Sequence, residues 1–326
     1  MHTLVSRTIR GTRRLALPSR AMRSAIMAMI LWSTVASAFK LTLRTVSVGN
    51  TLLVASGVSA AVLFIALLRE GKLHRLRRWS ARDFGRSALL GALNPFAYYF
   101  LMFTSYDLLP AQFAQPVNYV WPVFLIVLSA LLLGQRISFG DGVKVVLSFS
   151  GVLVISLGGG AVTLAALSTA GLVCALGSAA IWALYWLMNM KESRDPTVRL
   201  FVNFCFGFAY VLAWQLFRSD LLIPTGAGFL GALYIGLFEM GITYLLWFRA
   251  LTGEENSARV GNVIYLVPFL SLLLIALVVG EKIYPSTFAG LLLIMSGLLL
   301  GSVHRFSWAA AGRDRMRRLT HALLNR

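Results

Sequence analysis

The chain has 326 residues, of which 58% are hydrophobic and 13% charged. Soluble domains carry about 25% charged residues, so a soluble enzyme or binding module is excluded and a chain that crosses a membrane many times is expected. The formal net charge of +18 would suit nucleic acid. The bases, however, sit in tails and loops beside apolar runs, where they set orientation and meet anionic lipid headgroups. The expected partners are therefore lipids and not nucleic acid.

Residues 1–23 form a basic tail with Arg7, Arg10, Arg13, Arg14, Arg20 and Arg23. An apolar run follows. Its Ala36-Ser37-Ala38 has the form of a signal-peptidase site, but apolar character continues through Phe39 and Leu43, so a retained first span is expected. Ten apolar runs can be drawn, each near the roughly 20 residues a bilayer requires: 24–43, 49–68, 84–106, 110–133, 142–159, 169–189, 200–217, 227–250, 258–279 and 285–303. With the N-terminus in the cytoplasm, the other side holds only Lys40, Arg44, Arg218 and Lys282 of the 30 Lys and Arg residues. Such an asymmetry orients a polytopic protein and predicts ten spans with both termini cytoplasmic.

The chain also reads as two copies of one plan. A shift of 146 positions lays Tyr119 on Tyr265, Pro122 on Pro268, Gly134 on Gly280, Ile137 on Ile283 and Gly151 on Gly297. Five spans per copy is an odd number, so the second copy enters from the opposite face and the repeat is inverted, an architecture of transporters. The expected organisation is a tail (1–23), a first five-helix repeat (24–159), an external linker (160–168), a second repeat (169–303) and a basic cytoplasmic tail (304–326).

Polar groups inside apolar runs mark sites, because lipid tolerates them only where protein or a wet cavity receives them. The first run offers Trp32, Ser33, Ser37 and Lys40; Lys40 is near the outer end, where snorkelling and function are equally open readings. The third offers Asn94, Pro95, Tyr98 and Tyr99. In the fourth, Gln115, Asn118, Tyr119 and Trp121 lie between Pro116 and Pro122, which free backbone carbonyls in the preceding turns. In the sixth, Trp182, Tyr185, Trp186 and Asn189 share one helical face. The ninth offers Asn262, Tyr265 and Pro268. We take Trp32, Tyr98, Tyr99, Gln115, Asn118, Tyr119, Trp121, Trp182, Tyr185 and Tyr265 as the candidate substrate-binding set. Packing or an interfacial aromatic belt is the competing account of these rings.

Of the acids only Glu239 falls mid-span, with Thr243 and Trp247 at helical spacing on its face. It is the candidate for proton coupling, against a structural hydrogen-bonding role. Asp107 and Glu281 lie near span ends and are expected to be solvated. The Gly297/Gly301 pair would allow close helix approach, within the chain or at a weak dimer face; monomer and weak dimer both remain open. Neither a nucleotide-binding loop nor an intramembrane His is present, and no metal or cofactor is expected. A membrane-embedded enzyme would need clustered acids or a nucleophile with its base. A channel would need a repeated charged or carbonyl filter.

These features resemble the drug/metabolite transporter superfamily of EamA type. The marks are Leu31-Trp32-Ser33-Thr34, Asn118-Tyr119-Val120-Trp121-Pro122 followed by Gly134-Gln135-Arg136, the Trp182 segment and Gly280-Glu281-Lys282-Ile283. The Val117-to-Pro122 string is similar to that of bacterial aromatic amino acid exporters. The resemblance implies an inner-membrane, alternating-access exporter of Phe, Tyr, Trp or related amphiphiles, with Tyr119, Trp121 and Trp182 lining a central cavity. It assigns Glu239 no role.

Overall fold

The computed structural model describes residues 19–135, 137–157, 168–190, 192–252 and 262–305. The outer parts of both tails, most of the 160–168 linker, and Arg136, Lys191 and Arg259 lie outside these, as does the side chain of Asn262. The described chain is helical throughout: α1 (Arg20–Leu43), α2 (Val48–Arg69), α3 (Ala81–Gly91), α4 (Tyr98–Leu108), α5 (Ala111–Asn118), α6 (Trp121–Leu133), α7 (Phe139–Ser156), α8 (Thr169–Met190), α9 (Pro196–Arg218), α10 (Gly226–Tyr234), α11 (Ile242–Thr252), α12 (Val267–Leu274) and α13 (Pro285–Arg305). Seven described stretches are long and apolar enough to cross a membrane, and Val263–Val279 and Pro285–Leu300 are shorter apolar helices. The protein is an all-α polytopic membrane protein.

Local chemistry sets the helix ends. Ser80 with Asp83 and Ser138 with Asp141 close capping boxes on α3 and α7, satisfying amides that the first turn leaves free. Asp195 accepts from the N–H groups of Thr197 and Val198 at the start of α9. Gly134 and Gly280, matched by the internal repeat, both end helices in the left-handed conformation, φ 64° and 79°, which costs glycine least.

Three helices are interrupted where the polar residues sit. Between α3 and α4 a π turn spans Ala92–Ala97, and Asn94 leaves helical geometry at φ −147°, ψ 119°. Between α5 and α6 the break falls at Tyr119-Val120, with Pro122 in the first turn of α6, where its missing N–H is harmless. A second π turn, Ile235–Gly241, joins α10 to α11 and carries Glu239. Such turns recur at functional sites because they re-aim side chains.

Helix α1 joins the halves: its Phe39 packs on Phe103 and Tyr106 of α4 at ring separations of 4.7 and 5.3 Å, and its Ser33 carbonyl accepts from Ser271 Oγ of α12 at 2.8 Å. Helices α7 and α13 cross in backbone contact. A Cβ on Gly151 would lie 2.5 Å from the Gly290 carbonyl, and one on Gly290 equally close to that of Gly151. A Cβ on Gly297 would meet Ser148 Oγ at 2.6 Å. Gly297 thus serves a seam inside the chain, which removes it from the dimer face its G-x-x-x-G spacing allowed.

Candidate functional site

A cavity of about 550 Å³ lies between the interrupted helices, within the range of small-molecule sites. Its walls include Trp32 and Phe39 of α1, Tyr98 of α4, Gln115 and Asn118 of α5, Tyr119 and Trp121 at the α5–α6 break, Trp182 of α8, Glu239 of the π turn and Tyr265 before α12. One end is closed by Phe39, Met102 and Tyr106. The other extends to Gln135, Lys144 and Leu298. Tyr99 and Tyr185 of the candidate set do not line it; they stand behind the wall, 0% and 2% exposed.

The aromatic wall is ordered. Trp182 stacks on Tyr98 (4.7 Å, 27°) and on Tyr185 (5.7 Å, 22°), making a three-ring stack. Trp32 packs on Trp247 at 5.5 Å and meets Tyr244 edge-on at 6.3 Å. Asn118 Nδ2 donates to Ser178 Oγ at 2.8 Å, which fixes its amide. Gln115 Oε1 is buried without a partner.

Glu239 is part of this lining and is buried, 6% exposed. The Tyr99 hydroxyl donates to Oε1 at 3.0 Å, lies 3.3 Å from the Tyr244 hydroxyl, and Asn94 Nδ2 donates to that hydroxyl at 3.3 Å. Among the described residues Oε2 has no hydrogen bond of good geometry, and the Trp32 indole lies beside the carboxyl. The role of Tyr244 is missed by helical spacing because of the π turn. The extra residue brings Tyr244, five positions on, to the Tyr99 hydroxyl that holds the carboxylate. It sends Thr243, expected on that face, into the helix interior, where its hydroxyl donates to the Phe238 carbonyl.

The closed end is sealed by polar contacts. Lys40 Nζ donates to the carbonyls of Tyr106 (2.7 Å) and Leu109 (2.8 Å), so it ties α1 to the end of α4. Arg44 donates to the Val279 carbonyl at 3.2 Å. Glu281 is not solvated as expected: its two oxygens accept from the backbone N–H groups of Ala111 (2.8 Å) and Gln112 (3.0 Å), at the start of α5. A carboxylate at a helix N-terminus meets free amides and the positive end of the dipole, a partner that a reading of side chains alone does not reveal. The Gln112 side chain completes the seal, donating to the Lys282 carbonyl and accepting from Tyr284 N–H and Thr287 Oγ1.

Removing that carboxylate should loosen the end. In a Glu281→Ala background, a cysteine placed at Met102 should react at least tenfold faster with a membrane-impermeant maleimide added from the Glu281 side, since each lost charge-assisted bond is worth about 1.5–3 kcal/mol. Unchanged labelling would show that the aromatic plug alone closes this end.

The sequence pattern of the EamA-like transporter family matches residues 20–157 and again residues 169–303. The chain belongs to that family. Among its relatives, the aromatic amino acid exporter YddG of Ancylobacter novellus is 28% identical over 287 residues, covering 84% of this chain and 92% of the relative. A probable terminal-alkyne amino-acid exporter of Streptantibioticus cattleyicolor is 25% identical, covering 86% and 93%. A probable amino-acid metabolite efflux pump of Escherichia coli is 25% identical, covering 68% and 77%. One crystal structure shares the fold at a TM-score of 0.62 and 22% identity, over 87% of this chain and 96% of that one. As an EamA protein the chain is a secondary transporter, not an enzyme, and a multi-pass protein of the bacterial inner membrane.

Proposed function

We propose that this transporter exports small amphiphilic metabolites, foremost the aromatic amino acids Phe, Tyr and Trp, by alternating access. The observation that carries this reading is the Trp182 stack with Tyr98, which lines one cavity together with Trp32, Trp121 and Tyr119. Indole and phenol faces stack on an aromatic ring and attract an ammonium group, while Gln115 and Asn118 offer hydrogen bonds to a carboxylate. Each contact is weak, which suits a carrier that must release its cargo. The exporter names among the relatives support the same class.

The topology we propose has ten spans in two inverted five-helix repeats with both termini in the cytoplasm. The mouth at Gln135 and Lys144 then opens inward, the Glu281 seal closes the periplasmic side, and the cavity is in its loading state. Glu239 is the proposed coupling residue.

The test is purified protein in liposomes, with radiolabelled Phe, Tyr, Trp, Leu, Lys and phenethylamine followed by counterflow, with and without a pH gradient. Saturable counterflow of the three aromatic amino acids, at least tenfold above Leu, is expected. Flux of phenethylamine without flux of Phe would replace this substrate class with organic cations. Transport of none of the panel would move the assignment to other metabolites.

A further inference from the structure

The cavity lining is unevenly charged. Among the described residues it holds one base, Lys144 at the open end, and one acid, Glu239. Lys144 stands in the second turn of α7 and is only 8% exposed. An ammonium so buried needs a partner, and Asp141, three residues earlier, accepts from Nζ at 2.9 Å. Asp141 is 1% exposed and is not part of the lining. Its other oxygen is held by the backbone N–H and the hydroxyl of Ser138. The pair therefore presents its basic member to the cavity and keeps its acid behind.

Packing does not call for this charge. The 146-residue shift lays Lys144 on Gly290, as it lays Gly151 on Gly297. At the crossing of α7 and α13, a Cβ on Gly151 would lie 2.5 Å from the Gly290 carbonyl, and one on Gly297 would lie 3.0 Å from the Lys144 carbonyl. The two halves make the same backbone contact, one with glycine and the other with lysine. The seam uses the Lys144 carbonyl and leaves its side chain to another task.

An ammonium has three N–H donors. Asp141 takes one, and among the described residues no other group accepts from Nζ. Gln135 lines the same end and adds an amide. A carboxylate arriving here finds charge-assisted donors without displacing Asp141. A solute that is only a cation meets the positive member of the pair first. We propose, on the reading that solutes load through this end, that Lys144 with Gln135 receives the carboxylate of the entering solute and selects against cations that lack one. This adds a charge filter to the aromatic wall, which by itself would welcome any flat organic cation.

The test uses the purified full chain in detergent, with Cys174→Ala, Cys205→Ala and Leu125→Cys, so that one thiol reports on the cavity. Leu125 belongs to the lining, about two turns inside the end of α6. Mass spectrometry follows its modification by an anionic sulfonatoethyl and a cationic trimethylammonioethyl methanethiosulfonate. The ratio of anionic to cationic rates should fall roughly tenfold in Lys144→Gln, since a local field acts on the two reagents in opposite senses. That change leaves Asp141 unpaired, so the deciding variant is Lys144→Gln with Asp141→Asn, which removes both charges and nearly keeps both shapes. Its ratio should also fall severalfold. The parent ratio in this double variant would show that the pair acts as a neutral structural bridge, and overturns the proposal. An unchanged ratio in Lys144→Gln overturns it equally. No transport enters the measurement, so a failed substrate assignment is distinguishable from a failed filter.

Discussion

Glu239→Gln should lose the response to an imposed pH gradient and keep substrate counterflow. Coupling needs a group that exchanges a proton within reach of the cargo. Glu239 sits in the cavity wall with Oε1 held by Tyr99. The titratable groups around it are the phenols of Tyr98, Tyr99, Tyr106, Tyr119 and Tyr244, beside the Trp32 indole. No described Lys, Arg or second acid is paired with it. Gln keeps the shape and still accepts from Tyr99, but it cannot ionise. Exchange of one substrate for another moves no net proton, so counterflow persists, whereas gradient-driven accumulation falls to the level set by the substrate gradient alone. A variant that behaves like the parent under both conditions would make Glu239 a structural acceptor for Tyr99.

Trp182→Ala should weaken aromatic substrates by a few-fold to about thirtyfold, which corresponds to losing on the order of 0.5–2 kcal/mol of stacking and cation–π contact. Trp182 is the middle ring of the stack, so its loss also frees Tyr98 and Tyr185 from one another. Trp182→Phe restores a smaller ring and should recover most of the affinity. Trp121→Ala, on the opposite helix break, should act in the same direction. Apparent affinities from counterflow, with monodispersity on size exclusion as the folding control, decide the matter. Normal affinity in both alanine variants would identify these rings as packing residues.

The helices were legible because a bilayer demands long apolar runs, and the polar residues within them pointed to the cavity because lipid penalises them. Trp32, Tyr98, Trp121, Trp182 and Tyr265 were found on that ground and share one cavity wall. What was not legible depends on geometry that residue types do not encode. The π turn at Ile235–Gly241 rotates Tyr244 toward the Tyr99 hydroxyl and Thr243 away. Tyr99 follows Tyr98 in the chain and so falls behind the wall that Tyr98 lines. Glu281 looked solvated because its partners are backbone amides of a helix 170 positions earlier. Arg199 reads as an orienting charge at a span end, yet the fold buries it in the first turn of α9.

The seal at the start of α5 has a consequence for turnover. The Glu281 latch taken alone, one carboxylate on two amides, amounts to a difference of a few kcal/mol between held and released. That magnitude corresponds to a minor population of about 0.1–10%. In the alternating-access cycle we propose, a latch of this size opens without a dedicated trigger, and a solute needs only a modest preference for one of the two shapes to bias its position.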